Sequence, residues 1–117
     1  MSERLPKHLY DALQAARLAS EFLGETPFDE YAANLLLRSA VERQLEILGE
    51  ACWRILQEAP HLKTQLPETA FAIGLRNRII HGYDRVDPAI IHDTVKRDMP
   101  ELMERLKAAL DAYPPPG

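Results

Sequence analysis

The chain has 117 residues, 46% of them apolar and 27% charged. That suffices for one hydrophobic core and is too apolar for a disordered tail. Its net charge of −4 excludes a surface given over as a whole to nucleic acid, while leaving room for a local basic patch. No run approaches the roughly 20 apolar residues of a membrane span, and the opening MSERLPKH lacks the apolar stretch of a signal peptide. The single cysteine, Cys52, forms no internal disulfide, so the expected compartment is the cytoplasm.

Ala, Leu, Glu and Arg dominate and β-branched runs are scarce, which favours helix throughout. The first helix is expected from about Pro6 to Leu23, with Leu9, Ala12, Leu13, Ala16, Ala19 and Leu23 at helical spacing and Gly24 as its stop. Thr26-Pro27-Phe28-Asp29 reads as the next start, with Thr26 as N-cap and Pro27 in the first turn. The helix that follows is expected to be the longest, running to about Ala59 with a bend in its first turns. Leu37, Val41, Leu48, Cys52, Ile55 and Ala59 form one apolar stripe on it; Leu36, Ala40, Ile47 and Ala51 form a second. Two stripes suggest a second copy of the chain as partner, or else a wide core-facing surface in a compact bundle.

Pro60 ends that helix, and HLKTQLPETA reads as a short turn of helix or a loop. A further helix starts near Pro67 and Glu68, carries Phe71, Ile73, Leu75, Ile79 and Ile80, and ends at Gly82. Asp87-Pro88 opens the last helix, which Pro100 is expected to kink near Lys96. The Pro-rich tail, 111–117, continues no helix. The expected fold is a single all-α domain, core about 6–110, built as an up-and-down bundle of four to five helices.

The most polar cluster is RNRIIHGY, Arg76–Tyr83. Asn77 and His81 are four apart and share a helix face. Arg76, five before His81, lies roughly 140° round the axis from it, so the two do not grip each other within one straight helix but can flank a groove completed by a second subunit. Gly82 is expected to free Tyr83 towards the same rim, and Arg78 and Arg85 add charge. A histidine that exchanges protons near neutrality and an arginine with paired donors suit a phosphodiester. RNA carries its own 2′-hydroxyl nucleophile, so no metal is required. One cysteine and four scattered histidines give no metal-ligand set, and His92-Asp93 lacks the companions of a metal phosphohydrolase. The spacing alone is also met by a helix C-terminus with a capping histidine and solvated arginines.

ERQLEILGEA (42–51), GLRNRIIHGY (74–83), the DP that opens the last helix and DMPELMERL (98–106) together resemble the HepT-like family of the HEPN superfamily. The motif Arg-x-x-x-x-His-x-Tyr is matched by Arg76, His81 and Tyr83, and Asn77 fits the polar residue that follows the arginine. One departure is Glu68 after Pro67, where the family often has tryptophan. The resemblance implies a homodimeric, metal-independent endoribonuclease with no cofactor, the toxin of a type VII-like toxin–antitoxin system with RNA as substrate. It implies His81 as general base or acid, Arg76 on the phosphate and Asn77 orienting His81. It further implies AMP transfer to Tyr83 by an MntA-like nucleotidyltransferase antitoxin. Glu42, Glu46 and Glu50, four apart, read as a solvated face, or Glu50 as the carboxylate that holds Arg76. The alternative is a non-catalytic helical subunit that binds nucleotide or the partner enzyme. Cys52, on the apolar stripe, reads as a buried small hydrophobe.

Overall fold

The computed structural model describes residues 4–82 and 86–113. Among them the chain forms seven helices and no strand: α1 (Leu5–Leu23), α2 (Phe28–Ala33), α3 (Leu35–Glu58), α4 (Leu62–Gln65), α5 (Glu68–Gly82), α6 (Pro88–Arg97) and α7 (Met99–Asp111). The all-α class is as expected, but the count exceeds four to five. Three local causes explain the excess.

The first is Asn34, which adopts an extended conformation (φ −105°, ψ 94°) and accepts the Leu37 amide on its Oδ1 at 3.0 Å. An asparagine with its side chain over an exposed helical N–H is a strong N-cap. What reads as one long helix with a bend is therefore two helices. The second is Asp98, which separates α6 from α7. Asp98 itself stays near helical (φ −94°, ψ −30°), donating to the Thr94 carbonyl at 2.9 Å and accepting from the Leu102 amide at 3.1 Å. Pro100 has no N–H for the Lys96 carbonyl, so the interruption expected near Lys96 is present and divides the helix in two. The third is that HLKTQ closes a genuine single turn, α4.

A further correction concerns the start of α2. Its N-cap is Pro27, with ψ 158°, and not Thr26. The Pro27 carbonyl accepts the first helical amide, from Tyr31, at 3.0 Å. The Thr26 carbonyl instead accepts from His92 Nε2 of α6 at 2.9 Å. Lys96 Nζ, one turn further on, donates to the Gly24 carbonyl, so α6 is pinned to the turn after α1. Gly24 itself has φ 52°, a left-handed value that glycine adopts without a Cβ penalty.

α3 is the axis of the molecule, packed against α1 on one side and α5 on the other, with α7 closing on α1. Leu9, Leu23, Tyr31, Leu45, Leu48, Ile55, Ile91, Leu102 and Leu106 are the largest fully buried residues among those described, the leucines and isoleucines each worth roughly 1.5–3 kcal/mol of transfer free energy. Of the two stripes on α3, Val41, Leu48, Cys52 and Ile55 are buried as expected, together with Leu45, which belonged to neither. The second stripe divides: Ala51 is buried and Leu36 is 83% exposed. α7 continues to Asp111, and Tyr113 packs half-buried on the core. The expectation for the proline run falls outside the described residues.

Candidate active site

α5 carries Arg76, Asn77 and His81, and the seat of Arg76 is set by its neighbour α3. Gly49 is buried at the α3–α5 crossing. A β-carbon there would stand 2.3 Å from Arg76 Cβ and 2.8 Å from the Ala72 carbonyl. Only a residue with no side chain lets the two backbones come this close. The crossing places the next residue, Glu50, beside the guanidinium. Arg76 Nη2 is 3.0 Å from Glu50 Oε2, and Arg76 Nη1 donates to Asn77 Oδ1 at 3.0 Å. Glu50 is shared, since its Oε1 accepts from Arg54 Nε at 3.3 Å. The side chains of Arg76 and Glu50 are 31% and 40% exposed, so the pair orients the arginine more than it stabilises the fold.

Asn77 thus meets Arg76, and among the described residues it makes no hydrogen bond with His81. It nonetheless lines the same hollow as His81, a space of about 460 Å³ formed also by Leu75, Arg78, Val86 and Ile90. Arg76 opens elsewhere, into a groove of about 640 Å³ between α1, α3 and α5 that Glu50 and Arg54 share. One chain therefore presents its arginine and its histidine to two separate spaces, as their angular separation on a helix requires. His81 is exposed in the last turn of α5. Tyr83 and Arg85 lie outside the described residues.

Of the three carboxylates four apart on α3, only Glu50 reaches Arg76. Glu46 pairs with Arg43 at 3.0 Å. The Glu42 carboxyl is pushed above the ordinary range by burial, with Arg38 opposing the shift and Glu46 adding to it. Cys52 is fully buried and burial pushes its thiol up to about 12, which suits a packed hydrophobe and not a nucleophile. His92 is used structurally: its ring lies 5.7 Å from those of Phe28 and Tyr31. Asp93 pairs with Arg97 at 2.8 Å. Among the described residues no three His, Cys, Asp or Glu side chains gather as metal ligands do.

Sequence reasoning missed Gly49 and Arg54. The signal for Gly49 was present, because a glycine inside a long helix costs about 1 kcal/mol against alanine and is retained where a neighbour comes close. Arg54 is four residues from Glu50, the spacing of a helical ion pair.

The sequence profile described as ribonuclease HepT-like matches residues 12–109 of the chain. The chain belongs to the HepT-like family. Among its relatives, a protein of Methanocaldococcus jannaschii named "Putative RNase" is 34% identical over 108 residues, covering 92% of this chain and 98% of that one. A "Probable ribonuclease HepT" of Thermococcus cleftensis is 35% identical over 95 residues, covering 81% and 86%. A "Putative RNase" of Caldanaerobacter subterraneus is 30% identical over 103 residues, covering 88% and 91%. No solved structure matches the chain significantly. The matched region of this HepT-like chain contains α3 and α5 whole, and with them Gly49, Glu50, Arg76 and His81. No helix among the described residues is long and apolar enough to cross a membrane.

Proposed function

We propose that this HepT-like chain is a metal-independent endoribonuclease that acts as a homodimer, with Arg76 of one subunit and His81 of the other in one site. The observation that carries this reading is the separation of the two residues into different hollows of a single chain. A reaction that uses both needs a second copy to bring them together, and two-fold symmetry supplies each residue to the other.

His81 takes the proton of the RNA 2′-hydroxyl as that oxygen attacks the adjacent phosphorus. The bond from phosphorus to the 5′-oxygen breaks, the leaving oxygen takes a proton from solvent water, and His81 returns its proton to solvent. The products are a 2′,3′-cyclic phosphate and a 5′-hydroxyl. Arg76 offers paired donors to the non-bridging oxygens as charge develops on them. Glu50 and Asn77 hold its guanidinium in place before substrate arrives. The nucleophile belongs to the substrate and the charge is met by Arg76, so no step calls for a metal.

The motif further supports a toxin held in check by a partner. AMP transfer to Tyr83 by an MntA-like nucleotidyltransferase antitoxin would add negative charge and bulk two residues along the chain from His81, which opposes binding of an RNA backbone. Intact mass after incubation with ATP and such a partner should rise by adenylyl units, and Tyr83→Phe should prevent the rise.

The test of the nuclease reading is incubation of the purified chain with single-stranded RNA in the presence of EDTA. The expected products carry cyclic-phosphate ends, Arg76→Ala and His81→Ala remove them, and a 2′-deoxy strand is left intact. Cutting of the deoxy strand at the same rate would contradict the mechanism. A folded chain that binds RNA or the partner and cuts nothing would support the non-catalytic reading.

A further inference from the structure

The groove into which Arg76 opens is larger than one phosphate requires, and what lines it away from Arg76 is unexplained by the chemistry above. Three more cations face it: Lys7 on α1, and Arg43 and Arg54 on α3. Arg43 and Arg54 are eleven residues apart, about 17 Å along the helix at 1.5 Å per residue, so the positive charge is spread along the groove and not gathered at a point. Tyr10 also lines the groove and is 52% exposed. Leu18, Ile47 and Ala51 line it as well, together with the buried His8.

We propose that this groove binds the single strand of RNA that flanks the scissile phosphate, with Lys7, Arg43 and Arg54 facing its phosphates and Tyr10 stacking on a base. The inference rests on the ribonuclease reading and extends it beyond the reacting atoms. Basic side chains along a path with an exposed aromatic among them are what sequence-tolerant single-strand binding uses. The charge balance agrees. The groove holds four cations, with Arg76, against the carboxylates Asp11, Glu46 and Glu50, a positive excess on a chain whose net charge is −4.

Those carboxylates pair with the cations: Lys7 with Asp11 at 2.9 Å, Arg43 with Glu46 at 3.0 Å, and Arg54 and Arg76 with Glu50. The first two cations are 73% and 66% exposed. Exposed pairs at this spacing hold a side chain in place at little energetic gain, so each cation remains free to share its other donors with a phosphate. Continuity decides the occupant: a strand whose scissile phosphate rests on Arg76 leaves that residue along this groove.

The test is binding of a fluorescent single-stranded RNA of about ten nucleotides, 2′-O-methylated so that it cannot be cut, followed by anisotropy with the intact chain and with two variants. Tyr10→Ala should weaken binding about five- to a hundred-fold, with no change in its salt dependence. Lys7→Ala combined with Arg43→Ala should weaken it too and make the salt dependence shallower. Neither variant alters the groups proposed to react, so cleavage of a dinucleoside monophosphate should be unchanged. Binding by both variants equal to that of the intact chain overturns the groove, even where unmodified RNA is cut normally. So does dissociation of a dimer by Tyr10→Ala in sedimentation, which would assign the groove to a second copy. Failure of the intact chain to cut unmodified RNA while the methylated strand still binds through Tyr10 would count against the ribonuclease reading alone.

Discussion

Gly49 of α3 lies directly against Arg76 of α5, so close that a β-carbon at residue 49 would stand 2.3 Å from the arginine's own. Gly49→Ala sets a gain of about 1 kcal/mol in helix propensity against a clash with atoms fixed to the backbone of α5, including the Ala72 carbonyl at 2.8 Å. The clash wins, because neither neighbour is the free end of a flexible chain. The variant should lose about 1–3 kcal/mol in urea unfolding and much of its nuclease activity. Gly74→Ala is the control: nothing lies within 4 Å of its added carbon, and it should gain up to about 1 kcal/mol. Equal behaviour of the two variants would show that the close crossing is not what demands glycine.

Glu50→Gln keeps the shape of the side chain and removes its charge. Arg76 then loses its charged partner and keeps, among the described residues, only neutral acceptors such as Asn77 Oδ1, and a guanidinium less firmly aimed should lower kcat by roughly tenfold. KM should hold or fall, because the groove becomes more positive. Unfolding stability should change by less than about 1 kcal/mol, as the pair is partly exposed. A normal kcat in steady-state assays would remove Glu50 from the site.

Glu42 gives the molecule a pH dependence whose sign can be stated. Its carboxyl is raised by burial in the folded chain, so the fold favours the protonated form. That contribution to stability is fully present below about pH 4, the unfolded range for glutamate, and is lost as pH rises through the folded value. Glu42→Gln should therefore be more stable than the parent at pH 7, with the advantage shrinking towards pH 4. Denaturant titrations at the two pH values check this, and an advantage that grows on acidification would reverse the assignment.

The sequence disclosed most of this architecture through its strong punctuation. Gly24, Pro60, Gly82 and Asp87-Pro88 each mark a helix boundary where backbone chemistry leaves little choice. It disclosed less where a boundary rests on one side chain folding back on its own backbone, as at Asn34, or where a proline is compatible with both a kink and a fresh start, as at Pro100. The angular separation of Arg76 and His81 was legible because helix geometry alone sets it. The anchoring of Arg76 was only half legible. Glu50 stands out from its place on α3, but Gly49 gains its meaning from a helix crossing between segments more than twenty residues apart, which no local pattern records.

Joint action of Arg76 and His81 across two subunits is open to a direct experiment. It is tested by mixing two inactive proteins, Arg76→Ala and His81→Ala, under conditions of subunit exchange and assaying RNA cleavage. In a mixed dimer one site loses both residues and the other keeps both. Cleavage should therefore return, to about a quarter of the wild-type level for random pairing. No recovery from chains shown to have exchanged would mean that the two residues do not meet across an interface, and the account of the site would fail.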